Sequence, residues 1–279
     1  MRRFLRSFLF AFSFLTAFPG LGRAAVDERG LGLSVVFYPL AGLLLGALVY
    51  GVCLAGAHPL TRAVLAVIVL LAATRGMHAD GLLDTFDGFL SGGGSPGRAL
   101  EVMRDSRVGA LGLVGAACVY GVKLVLLFEL VLALAPSGAG TGWGGLFPGL
   151  SPGDRPGEVP LSAVMIPAAA SRGALGLHCL LFPPARGGKG LGGSLVAAVR
   201  PAHAAGALAL SLALAYRQGC TALLLAVPAA AAVWLLWGLV CRGRIGGITG
   251  DTLGAGIEMA ETAGYLAVLL AARGVPGCW

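Results

Sequence analysis

Charge is scarce in this chain, and acid is scarcer than base. Of 279 residues only 12% are charged, with 13 Asp+Glu against 20 Lys+Arg, while 57% are hydrophobic. A mean hydropathy of +0.86 excludes an ordinary soluble globular protein. The alternating pattern of membrane-spanning strands is missing as well, which excludes a barrel. Backbone inside lipid must satisfy its own hydrogen bonds, so a helical bundle remains. No two of the cysteines, Cys53, Cys118, Cys179, Cys220, Cys241 and Cys278, form a CxxC pair. Most fall inside apolar runs and read as small buried hydrophobes, not as a zinc site or disulfide framework.

What the chain does have is a series of apolar runs near the length of about 20 residues that crosses a bilayer. Spans are predicted at roughly 35–57, 60–77, 108–135, 160–182, 202–217, 219–241 and 253–272. The expected fold is all-α: one polytopic membrane domain over residues 1–279, with about seven spans and a short N-terminal membrane-associated helix. The 46 glycines suit close helix packing through small residues. Met1-Arg2-Arg3 and the apolar stretch to Phe18 look like a signal peptide, with Ala24-Ala25 near a cleavage site. A retained amphipathic or re-entrant helix is the preferred reading, because the later spans need no secretion signal to enter a membrane.

Sidedness follows from the basic residues. With both ends of the N-terminal helix inside, segments 1–34, 78–107, 183–201 and 242–252 face the cytoplasm and hold 14 of the 20 Lys+Arg, Arg75 included. Arg62, Arg155, Arg217 and Arg273 lie outside, and Lys123 and Arg172 fall within spans. The positive-inside rule favours this orientation. The formal charge of +7 then reflects basic loops beside anionic lipid, not nucleic acid. The Gly- and Pro-rich segment 136–158 reads as an external loop.

Four polar clusters interrupt the apolar background. Asp80, Asp84 and Asp87 follow His78 in the stretch 77–88. On a helix this spacing places all three within an arc of about 60°, at about 100° per residue. Three carboxylates so close repel one another unless a cation compensates, and hard divalent cations take oxygen ligands. Arg104, Asp105, Ser106 and Arg107 stand just before the apolar run at 108. Two arginines there can grip phosphate through forked hydrogen bonds, and Asp105 can complete a second metal site or orient an arginine. In the third cluster, 246–254, Asp251 begins a helix that continues through Glu258 and Glu261. Each glutamate costs roughly 2.5–3.5 kcal/mol inside an apolar span, so both should face the bundle interior, where Arg172 or Lys123 are available partners. The fourth, Arg186-Gly187-Gly188-Lys189-Gly190-Leu191-Gly192, could cradle a diphosphate. It lacks the pattern of a P-loop. His78 is open to roles as ligand, base or cap, whereas His58, His178 and His203 form no pattern. Trp143, Trp234 and Trp237 read as interface anchors or packing.

Three of these motifs in order, 78–88, 103–109 and 247–255, together with Phe14-Leu15-Thr16 and Tyr38-Pro39-Leu40-Ala41-Gly42, resemble the cobalamin synthase (adenosylcobinamide-GDP ribazoletransferase) family over most of the chain. Segments 92–95 and 137–158 depart from the family pattern without touching the motif acids. The resemblance implies that adenosylcobinamide-GDP reacts with α-ribazole or its 5′-phosphate to give adenosylcobalamin or its 5′-phosphate, plus GMP. A ribose hydroxyl attacking a diphosphate needs charge neutralisation and alignment above all. On this reading Asp80, Asp84 and Asp87 hold Mg²⁺. Asp84, Asp105 and Asp251 are the catalytic candidates, Asp105 and Asp251 for further metal coordination or for accepting the hydroxyl proton. Arg104, Arg107 and Arg186 are candidates for diphosphate contact. The expected setting is the inner membrane of the cell with the site facing the cytoplasm, and the expected partners are lipid, a second copy of the chain or other cobalamin-assembly enzymes.

Two rivals remain open at this point. A CDP-alcohol phosphotransferase of lipid synthesis shares membrane aspartates and Mg²⁺, but its Asp-Gly-x2-Ala-Arg start is not matched, since Asp84 stands where Ala is needed. An ion- or proton-coupled transporter would use Glu129, Glu258 and Glu261, whereas the strongest acidic cluster lies at one face.

Overall fold

The computed structural model describes residues 2–18, 26–55, 57–133, 162–185, 190–217 and 224–274, and among these every regular element is a helix. Helix α1 spans Arg2–Leu15 and α2 spans Glu28–Ser34, the latter capped by Asp27, whose carboxylate accepts the Gly30 N–H at 2.9 Å. A single 3₁₀ turn, Val35–Phe37, leads into α3, Tyr38–Cys53. Then follow α4 (Pro59–Ala73), α5 (Met77–Ser91), α6 (Pro96–Val102) and α7 (Ala110–Ala133). The second half holds α8 (Ser162–Gly173), α9 (Leu175–Leu181), α10 (Gly190–Ala198), α11 (Pro201–Tyr216), α12 (Ala226–Ile245) and α13 (Gly250–Gly274).

Among the described residues five stretches are long and apolar enough to cross a membrane: Glu28–Cys53, Ala110–Ala133, Ser162–Leu181, Ala226–Ile245 and Gly250–Ala271. Two bent pairs, α4 with α5 at 92° and the 192–198 part of α10 with α11 at 98°, bring the number to as many as seven if each is one broken span. The chain is thus a polytopic helical bundle, as the hydropathy predicts.

The differences from the predicted spans have local causes. The run at 60–77 stops at Ala73, because Arg75 and Gly76 take left-handed backbone angles (φ 56° and 67°) and turn the chain sharply into α5. The aspartates therefore sit on a helix of their own and not on a loop. Gly76 tolerates that conformation, whereas Arg75 carries the usual Cβ penalty. Arg75 is held by α1: its guanidinium donates to the carbonyls of Ser13 (3.3 Å) and Thr16 (3.1 Å). Next to it the Ala17 N–H donates to the carbonyl of Ala73 at 2.6 Å. The predicted run at 219–241 ends later, at Ile245, because Arg242 and Arg244 are accommodated in the last helical turn, where cations suit the helix dipole.

The core is built from α3, α8 and α13, with Tyr38, Leu45, Ile166, Ala168, Ala260 and Tyr265 buried. Close approach there relies on small residues. A Cβ added to Gly46 would lie 2.5 Å from the Met165 Cα, and one on Gly264 would lie 2.9 Å from Pro167. Outward faces stay apolar, among them Leu113, Val114, Val122 and Val125 on α7 and Leu236 and Leu239 on α12, as lipid contact requires. Cys53, Cys179 and Cys241 are buried, but Cys118 lies exposed on α7, where a lipid-facing position accepts a small hydrophobe equally well. Trp234 and Trp237 serve packing: their indole N–H groups donate to the carbonyls of Ser171 (2.7 Å) and Thr252 (2.8 Å). The predicted loop at 136–158, with Trp143, falls outside the described residues.

Candidate active site

Helix α5 buries His78, Gly81, Leu82, Thr85, Gly88 and Phe89, a stripe with helical period. That stripe leaves Asp80 exposed and Asp84 and Asp87 half-buried along the adjoining side. Asp80 stands in the first turn, where the helix dipole favours a negative charge.

Two other parts of the chain meet this helix at backbone distance. A Cβ added to Gly81 would lie 2.7 Å from the carbonyl oxygen of Asp251 and 3.0 Å from its Cα, so the first turn of α13 rests directly on α5. At the far end of the triplet Asp87 lies against Gly109, where an added Cβ would collide with its carboxylate. The Asp87 carboxylate also accepts from Ser91 Oγ at 3.0 Å and, more weakly, from the Gly112 N–H at 3.4 Å. It thereby faces the start of α7, where orphan N–H groups favour an anion.

Asp251 is set by the start of its own helix. Thr249 and Thr252 cap each other: the Thr249 N–H donates to Thr252 Oγ1 at 2.8 Å and the Thr252 N–H to Thr249 Oγ1 at 3.2 Å. Such reciprocal capping fixes the first turn. Thr249 Oγ1 also reaches the Asp251 carboxylate at 3.4 Å. From the other side, a Cβ on Gly192 of α10 would lie 2.7 Å from the Gly250 nitrogen. The start of α10 therefore abuts the start of α13. Arg186 and Lys189, predicted to share that glycine-rich motif, lie outside the described residues.

Asp105 turns to Arg107. Its carboxylate accepts from the Arg107 backbone N–H (3.0 Å), from Nε (3.0 and 3.1 Å) and from Nη2 (2.6 Å). This forked pair pushes the Asp105 carboxyl below its usual range, to about 2, and raises the Arg107 guanidinium. Of the two roles open to Asp105, orienting an arginine is the one its contacts favour. Arg104 is exposed in the preceding turn, its N–H bonded to the Glu101 carbonyl at 3.0 Å.

Asp80, Asp84 and Asp87, Gly109 with the Arg104–Arg107 turn before it, Gly192 and Asp251 thus come together at one end of the bundle, beside the starts of α7, α10 and α13. Glycine marks each closest crossing, and that was the available sequence signal. Arg244 was not anticipated: its Nη1 donates to the Phe89 carbonyl at 3.4 Å, at the C-terminal end of α5. A contact 155 positions apart leaves no trace in local pattern. Among the described residues no three His, Cys, Asp or Glu side chains are gathered tightly enough to chelate a metal ion. The donor chemistry is all carboxylate oxygen, which matches Mg²⁺ and not zinc or copper.

Two turns deeper the acids are held differently. Glu258 pairs with Lys123 of α7, and Glu261 pairs with both Lys123 (3.1 Å) and Arg172 of α8 (2.6 Å). All four side chains are buried, and their charges cancel. His78 Nδ1 stands 3.7 Å from Glu258, and neither ring nitrogen has a hydrogen-bond partner. Both expected partners of the glutamates are in use, and both glutamates face inward as expected.

Apolar helices enclosing a balanced charge cluster, with acids from three sequence regions at one end, define a multi-pass membrane protein with a polar terminal site. The family model of cobalamin-5-phosphate synthase matches residues 7–269. A protein of Roseiflexus sp. (strain RS-1) named adenosylcobinamide-GDP ribazoletransferase is 35% identical over 268 residues, covering 94% of this chain and 88% of that one. Proteins of the same name are similar in Desulforamulus reducens (36% identical, 93% and 94% covered) and in Pseudomonas aeruginosa PAO1 (34% identical, 97% and 100% covered). No solved structure matches. The chain belongs to the cobalamin-5-phosphate synthase family, and it is a transferase of cobalamin biosynthesis.

Proposed function

We propose that the chain joins adenosylcobinamide-GDP to α-ribazole or its 5′-phosphate, releasing GMP, in a Mg²⁺-dependent reaction. The observation that carries this reading is the meeting of the aspartate helix α5 with the backbone of Asp251 at Gly81 and with Gly109 at Asp87, in a chain whose relatives bear the ribazoletransferase name. A ribose hydroxyl oxygen bonds to the phosphorus that stays with cobinamide, the phosphoanhydride bond breaks, and GMP leaves with the electron pair. Asp80, Asp84 and Asp87, which do not converge on one point here, would supply carboxylates to Mg²⁺, whose charge would neutralise the diphosphate. Asp84 and Asp251 are the candidates to accept the hydroxyl proton. Asp105 holds the Arg107 fork in position for a phosphate oxygen, and Arg104 and Arg186 are the further diphosphate contacts.

In the same reading the chain lies in the inner membrane with this end towards the cytoplasm, where nucleotide substrates are, with lipid around it and a second copy or other cobalamin-assembly enzymes as partners. The internal neutralisation of Glu258 and Glu261 disfavours the transport alternative, which needs exchangeable acids along the membrane depth. Purified protein supplied with adenosylcobinamide-GDP, α-ribazole 5′-phosphate and Mg²⁺ should release GMP in step with formation of the joined corrinoid. Absence of GMP under these conditions overturns the proposal.

A further inference from the structure

We infer that Lys123 and Glu258 are positioning residues, which set the aspartate helix α5 against the Asp251 end of α13; the inference rests on the proposed transferase reading only for its kinetic consequence. The pair sits in a cluster with Glu261 and Arg172, contributed by α7, α8 and α13, and all four side chains are buried. Burying four charges gains little stability over apolar packing of the same shape, because desolvation offsets most of the attraction. Such a cluster is better explained by the single arrangement it enforces. Its place supports that explanation. Glu258 lies seven residues after Asp251, two turns along nearly the same face of α13. His78, two residues before Asp80, is buried at 3.7 Å from the Glu258 carboxylate. A Cβ on Gly254, between Asp251 and Glu258, would lie 3.2 Å from the His78 Cα. The charged cluster therefore bears on α5 directly beneath the crossing where Gly81 meets Asp251. Lys123 joins both glutamates of α13 to α7, the helix whose start faces Asp87. One ammonium thus ties together the helices that carry or face the acids of the site.

The test is the charge-neutral double variant Lys123→Met/Glu258→Gln, which leaves the Glu261–Arg172 pair in place. It should elute and melt like the parent protein in detergent. Its kcat for GMP release should fall about tenfold with KM for adenosylcobinamide-GDP unchanged, the signature of lost alignment and not of lost binding. Hydrogen exchange, read without any substrate, should quicken in 77–91 and 250–258. A folded double variant with parental kcat, or with parental exchange in both segments, overturns the inference. Should the double variant not fold, Glu258→Gln alone, in which Lys123 keeps Glu261, is judged by the same two readouts. If the parent protein itself releases no GMP, the transferase reading falls, and the exchange measurement alone decides the positioning role.

Discussion

Asp251 and Glu258 occupy one face of one helix, two turns apart, and the bundle treats them in opposite ways. Asp251 is half-buried at a capped helix start, against the backbone of α5 and beside the start of α10. Glu258 is sealed among Lys123, Glu261 and Arg172. The same chemical group is thus half-buried at the bundle's end and buried in its interior. On the proposed reading the first kind meets a cation or substrate, while the second is buried against Lys123 and Glu261. On the proposed reading the acids that look costly in the sequence divide into a working set and a holding set, which differ in depth along the helix.

The largest expected effect tests the working set as a whole. Removal of divalent metal with a chelator should abolish GMP release, and Mg²⁺ should restore it, with the melting temperature nearly unchanged. A large drop in melting temperature would make the cation structural and erase the distinction. Next in size, Asp84→Ala should lower kcat on the order of 10²-fold or more in a protein that still folds, as expected for loss of a metal or proton-transfer group. Full transfer activity in that variant would falsify the metal assignment. The holding set predicts the reverse pattern. Glu261→Leu strands Arg172 and half of Lys123 without a counter-charge and should destabilise the fold by about 3–5 kcal/mol, measured by thermal unfolding in detergent. A stable Glu261→Leu protein would mean that water or lipid headgroups reach the interior.

The smallest expected effect concerns pH. Asp105 is depressed to about 2 by Arg107, so its folded-state pKa lies below the unfolded value. Its contribution is fully present above the ordinary carboxylate range and is lost only as pH falls through about 2. The ratio of parental to Asp105→Asn activity should therefore be flat from pH 5 to 9. A ratio that changes in that window would identify Asp105 with a titrating proton acceptor and move it out of its arginine-orienting role.

Helix type and the approximate number of spans were legible because lipid imposes them: apolar length sets a span, and unsatisfied backbone is forbidden. The aspartate face was legible for a related reason, since spacing alone puts residues 80, 84 and 87 on one side of α5. The inward turn of Glu258 and Glu261 followed from the cost of charge in lipid. What remained hidden depends on long-range contact. Apolar pattern runs through Ala73 towards residue 77 without announcing a 92° bend, because the left-handed Arg75 is stabilised by carbonyls some 60 positions earlier. That Lys123 serves both glutamates, that Arg244 reaches Phe89 and that Asp105 turns to Arg107 are facts of side-chain reach and not of spacing.

The hold of α1 on that bend gives the N-terminal helix a remote grip on the chemistry. Ser13, Thr16 and Ala17 grasp Arg75 and Ala73 at the elbow from which the aspartate helix departs. Anything that lifts α1 from the elbow, such as a change in lipid composition or a bulky fusion close to Ser13, would swing the acids without touching them. The N-terminal helix is thereby joined to the start of the aspartate helix through the elbow between α4 and α5.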